Sequence, residues 1–159
     1  MAKSRNITFL SKIPEQVMWN SDKGFLNTII INLISNAFKY TPDGQSIKIE
    51  VDTSRENMLA LRVANEGSTI KEKDFQYIFN RYAILDNFEN QDEKNFSRNG
   101  LGLAISYNMA KLLNGTLKVE NTPDGWVMFT LTLPVVELTT GVVETKRLTA
   151  EYIPKIDTQ

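Results

Sequence analysis

Apolar positions recur along the chain at two spacings, and the switches between them mark out elements. Leu26, Ile29, Ile30, Leu33, Ile34 and Ala37 fall on one face of a helical repeat and predict a helix running to about Tyr40. Ser21 or Asp22 can cap its start, and Thr41-Pro42-Asp43-Gly44 ends it with turn residues. Ile47, Ile49 and Val51 then alternate with Lys48, Glu50 and Asp52. Leu59, Leu61 and Val63 repeat the alternation, so two half-buried strands are expected around a turn at 55–57. Shorter strands are predicted at 7–10 and 16–19, on either side of a turn at Pro14. Residues 71–82 predict a second helix with Phe75, Ile78 and Phe79 inward. A third begins near Leu101 and ends at Asn114-Gly115, a helix-stop pair. Strands at 116–120 and 126–133 flank a Pro123-Asp124-Gly125 turn.

Two stretches lack this patterning. Residues 83–99 are polar, aperiodic and long for a connection, the signature of a lid over a site. Residues 135–159 read as a tail or linker, which leaves 1–134 as the folded domain. Neighbouring strands joined by short turns argue for antiparallel hairpins. Helices with a single apolar stripe argue for a layer on one face of the sheet. The expected architecture is an α/β two-layer sandwich: a mixed, largely antiparallel sheet covered on one face by three helices.

Composition narrows the chemistry. The chain has 159 residues, 42% of them apolar and 23% charged, as in an ordinary globular domain. It contains neither histidine nor cysteine. A Ser-His-Asp triad, an imidazole base, a thiolate nucleophile and a His or Cys metal site are therefore excluded from this chain alone. Any phosphohistidine chemistry needs its acceptor on another segment or another chain. The net charge of −1 supplies no field toward nucleic acid or an anionic membrane, and neither is expected as a partner. No run approaches the roughly 20 apolar residues of a membrane span.

Three motifs carry candidate chemistry. Asn32, Asn36 and Lys39 share one face of the first helix, since steps of about 100° place Asn36 about 40° and Lys39 about 20° from Asn32. Asparagine is a mediocre helix former, so two of them beside a buried stripe call for a reason. Amide oxygens and an ammonium suit a magnesium–phosphate site, although an N-x-x-x-N pair by itself more often serves packing or solvent. Asn65-Glu66-Gly67-Ser68-Thr69-Ile70 follows a strand, where a polar side chain and a glycine suit ligand contact. A plain turn is the simpler alternative. Asn99-Gly100-Leu101-Gly102-Leu103 is expected to open the third helix, where glycine backbone and a helix N-terminus favour phosphate. A glycine-softened helix start fits it equally well. The three in this order are far more specific than any one alone.

In that combination the chain resembles the catalytic and ATP-binding domain of bacterial sensor histidine kinases, within the Bergerat-fold superfamily of gyrase, Hsp90 and MutL. Residues 32–42 look like the family's N box, 64–70 its G1 box, 78–82 its F box and 99–105 its G2 box. The resemblance implies that Asn36 coordinates Mg²⁺, with Asn32 beside the phosphates and Lys39 and Tyr40 along the nucleotide. Asn32, Asn36 and Lys39 would be the catalytic set. Asn65 and Gly67 would meet the adenine, joined by Ile70, Tyr82 and, on the closing strand, Thr130. Arg98, Gly100, Leu101, Gly102 and Leu103 would complete the phosphate side under a lid at 83–99. The implied ligands are ATP and Mg²⁺. The implied partners are a histidine-bearing dimerisation hairpin and a downstream receiver domain, in a cytoplasmic two-component phosphorelay.

The chain also departs from the family. Asn65 stands where Asp is usual, and a neutral acceptor bonds about half as strongly, so weaker ATP binding is expected. Thr69 replaces the second G1 glycine, and Arg98 and Asn99 stand where the G2 box often begins with Gly. Asn32 occupies the place of the glutamate base of gyrase-type ATPases, and an amide cannot take a proton from water. ATP should then be kept for transfer to a protein. Two alternatives share the fold: a degenerate nucleotide site serving as an interaction module, and an anti-sigma-factor serine kinase.

Overall fold

The computed structural model describes residues 4–80, 93–134 and 146–148, with side chains at 4–80 and 102–134. Strand β1 (Thr8–Lys12) and the short β2 (Val17–Trp19) precede helix α1 (Lys23–Tyr40). The hairpin β3 (Ser46–Asp52) and β4 (Met58–Glu66) follows, then a single 3-10 turn at Glu72–Asp74. Helix α2 (Glu93–Leu112) leads into β5 (Thr116–Asn121) and β6 (Trp126–Pro134), and Lys146–Leu148 forms β7. Five strands make one sheet in the order β1-β3-β4-β6-β5. Every pair is antiparallel except β1 with β3, which are parallel because α1 intervenes and returns the chain to the same end.

The layers follow from the alternation. Ile47 and Ile49 on β3, Leu59, Leu61 and Val63 on β4, and Val127, Phe129, Leu131 and Leu133 on β6 face one side and are buried. The α1 stripe predicted from the sequence, Leu26 through Ala37, is buried against them, so the sandwich is as expected. Asp22 is the N-cap, its carboxylate accepting from the Phe25 N–H at 2.9 Å. At the other end Arg5 donates to the Phe38 and Thr41 carbonyls and pairs with Asp43 at 2.8 Å. A cation there satisfies terminal carbonyls and complements the helix dipole.

Several expectations are corrected. Two α-helices are present among the described residues, not three. Residues 71–80 form successive tight turns, with N–H groups of Asp74, Phe75, Tyr77 and Asn80 bonding three residues back. Apolar residues at 75 and 78 fit a three-residue repeat as well as an α-helical one, so the spacing alone could not decide. Ile78 and Phe79 still pack against the core as predicted. Helix α2 starts at Glu93, inside the stretch expected to be lid, and residues 83–92 lie outside the described residues. Extending an already packed helix costs far less than nucleating one, which lets the weak formers at 95, 97 and 99 continue it. Lys146–Leu148, expected as tail, pairs antiparallel with β2. Among the described residues no helix is long and apolar enough to cross a membrane.

Candidate functional site

A cleft of about 320 Å³ opens between α1, the β4 end and the turns that follow. Helix α1 contributes Asn36 and Tyr40, one turn apart. Asn65 enters from the end of β4, and Ser68, Ile70 and Asp74 from the segment beyond it. Leu103 of α2 and Val127 and Phe129 of β6 form the apolar floor. An apolar enclosure with a few convergent polar groups is the usual form of a small-molecule site.

The polar groups are held in place. Asn65 is only 1% exposed, and its amide donates to the Ser68 hydroxyl at 2.6 Å. Its row in the sheet continues to Val127 on β6 and Ile47 on β3. Phe79 stacks on Tyr107 with ring centroids 5.0 Å apart and meets Phe129 edge-on at 6.3 Å, tying the turn segment to α2 and to the floor. Among the described residues no cluster of three or more acidic, histidine or cysteine side chains could hold a metal by itself. Asn36 alone offers an amide oxygen from α1 into the cleft. That donor set fits a cation such as Mg²⁺, which keeps waters and phosphate oxygens and needs one or two protein ligands.

Of the residues predicted for the site, Asn36, Tyr40, Asn65, Ile70 and Leu103 line this one cleft. Others lie elsewhere. Asn32 spans the two helices, donating to the Gly102 carbonyl at 3.1 Å and the Ser106 hydroxyl at 3.0 Å. Lys39 is exposed, its ammonium 5.1 Å over the Tyr40 ring. Gly67 is exposed at φ +81°, and an added Cβ would crowd Pro42 and Gln45 at 3.1–3.3 Å. Its position is fixed by a turn-on-turn contact rather than by the cleft. Thr130 is out of phase: it aligns with Arg62 and Lys118, while Val127 and Phe129 point to the helix side. The two-residue period of β6 held that information. Gly100 and Gly102 sit inside α2 and not at its start, so their N–H groups face carbonyls four residues back. The Arg98 and Leu101 side chains and all of Tyr82 lie outside the described residues. Among the cleft residues that sequence reasoning missed are Ser68, Asp74, Val127 and Phe129, the last two for want of phasing the strand against the cleft.

The sequence model of the histidine kinase-, DNA gyrase B-, and HSP90-like ATPase family matches residues 21–137. The chain is similar to the sensor histidine kinase TmoS of Ectopseudomonas mendocina, with 33% identity over 135 residues covering 85% of this chain and 14% of that one. It is also similar to the sensor histidine kinase WalK of Bacillus subtilis (strain 168), with 28% identity over 139 residues covering 86% and 22%. It thus spans no more than 22% of the length of these curated relatives. A nucleotide-free catalytic domain of histidine kinase ThkA shares the fold, with a TM-score of 0.68 at 24% identity over 84% of this chain and 83% of that one.

Proposed function

Because the chain belongs to the histidine kinase-, DNA gyrase B-, and HSP90-like ATPase family, we propose that its cleft binds Mg-ATP as the catalytic domain of a two-component sensor histidine kinase. The observation that carries this is convergence. Asn36 and Tyr40 from α1 and Asn65 and Ile70 from the β4 end meet in one cleft, although the first and last lie 34 positions apart in sequence.

Each residue has work of its own. One N–H of the Asn65 amide goes to Ser68, and its carbonyl oxygen would accept from the amino group of adenine. Val127, Phe129 and Leu103 exclude water from the base, and Tyr40 and Ile70 bound it. Asn36 would hold Mg²⁺ by its amide oxygen. Held there, the ion would supply positive charge against the charge that builds up on the phosphates during transfer. Asn32 cannot act as a base, so its part is to join α1 to α2 beside the phosphates. Positioning and charge neutralisation are what phosphoryl transfer chiefly requires.

The acceptor must come from elsewhere, since the chain has no histidine. It would be a histidine on a dimerisation hairpin, with a receiver domain downstream and a cytoplasmic setting. Incubating the chain with γ-labelled Mg-ATP and its cognate hairpin in trans tests this. Acid-labile label on the hairpin, absent with Asn36→Ala, is the expected result. Acid-stable label on a serine protein would transfer the reading to a serine kinase. No nucleotide-dependent label on either would leave an interaction module.

A further inference from the structure

The backbone of Ile70 is gripped by a side chain 51 residues away in sequence. The Asn121 carbonyl oxygen accepts from the Ile70 N–H at 3.0 Å, and its amide nitrogen donates to the Ile70 carbonyl at 2.7 Å. Donor meets acceptor at both points, so the amide has a single orientation. Such a reciprocal pair is what a neighbouring strand would give, supplied here by one side chain where the loop has left the sheet. Without it, two backbone groups of a half-buried residue lose their partners.

The register explains why this residue can do it. Asn121 lies opposite Val127, and Val127 opposite Asn65, so all three occupy one row across β5, β6 and β4. The row runs along the floor of the cleft and ends, through Asn121, on its wall. Ile70 lines that wall, and Lys71, the next residue, begins the tight turns that bring Asp74 and Ile78 to it. Asn121 itself is not among the lining residues. We propose that Asn121 is a positioning residue for the nucleotide, setting the distance between the Ile70 wall and the Asn65 side of the base pocket. This rests on reading the cleft as a nucleotide site.

The test is calorimetric titration of the chain with Mg-ATP, well below its melting temperature, for wild type, Asn121→Ala and Asn121→Asp. Hydrogen exchange at the Ile70 amide is followed in each. The Asp variant keeps the acceptor for the Ile70 N–H and loses the donor to its carbonyl. Loss of both bonds should weaken ATP about tenfold in the Ala variant, and the Asp variant should also bind more weakly than wild type, since its second oxygen faces the Ile70 carbonyl. Ile70 exchange should be fast in the Ala variant and slowed again in the Asp variant. A purely structural role would lower the melting temperature and leave the affinity of the folded protein unchanged. Wild-type affinity in either folded variant would therefore overturn the proposal. Absence of binding already in wild type would overturn the nucleotide reading, and this proposal with it. If the Ala variant does not fold, the Asp variant and its Ile70 exchange decide alone.

Discussion

At Gly115 a side chain has no room: a Cβ would lie 2.4 Å from the Thr132 carbonyl oxygen and 2.9 Å from the Leu133 side chain. The left-handed residue that ends α2 is its neighbour Asn114, at φ 56°. Its N–H bonds the Lys111 carbonyl at 2.9 Å, and the Gly115 N–H the Ala110 carbonyl at 2.8 Å, a Schellman ending. Gly115→Ala should therefore cost more than about 2 kcal/mol by overpacking. Asn114→Gly should change stability by only a few tenths of that, and urea melts distinguish the two. A second residue-scale prediction concerns acid. The Asp52 carboxyl is lowered to about 2 by the Ser54 side chain first, then the Ser54 N–H and Arg62. A depressed folded pKa supports the fold above the ordinary aspartate value, and that support is lost as pH falls toward 2. Asp52→Asn should flatten stability against pH in that window, read by thermal melts at stepped pH. The stop pair at 114–115 was legible in the sequence, and so were Asn36 and Asn65. The division of labour within the pair was not, because it depends on the approach of β6.

At the scale of elements, α1, β3, β4, β5 and β6 could be read from periodicity because each buries one face. The segment at 71–80 could not be, since tight turns and an α-helix bury the same few apolar positions. Helix α2 exceeded its expected start for a cooperative reason, and this bears on the phosphate side of the site. Within a continuous helix the Gly100 and Gly102 N–H groups are engaged, and they can serve a phosphate only if the helix opens there. Gly102→Ala tests that requirement. Its Cβ meets Asn32 only at ordinary distances, 3.4 Å and beyond. The substitution should raise helix stability by about 0.5–1 kcal/mol while weakening Mg-ATP binding. Higher stability with unchanged affinity would show that these N–H groups do not serve the phosphates. Asn32→Ala should lower stability by about 1–2 kcal/mol through the two bonds joining α1 to α2, read as a shifted urea midpoint with unchanged slope.

For the whole molecule, the sandwich holds one layer of helices on one face of the sheet, and the cleft lies where helix layer, sheet row and turn segment meet. The row Asn121–Val127–Asn65 and the turn of α1 carrying Asn36 and Tyr40 come from three separate stretches of sequence. Only the fold makes them neighbours, which is why spacing pointed to single motifs and only the family resemblance joined Asn36, Tyr40 and Asn65 in one site. A near-neutral chain has no long-range field to draw in an anion, so affinity must come from these contacts. The most direct test is calorimetric titration with a non-hydrolysable ATP analogue, with and without Mg²⁺, on wild type and Asn36→Ala. Micromolar to sub-millimolar binding that weakens when either Mg²⁺ or the Asn36 amide is removed is the expected result. Undetectable binding at millimolar nucleotide, or binding indifferent to both Mg²⁺ and Asn36, would contradict it.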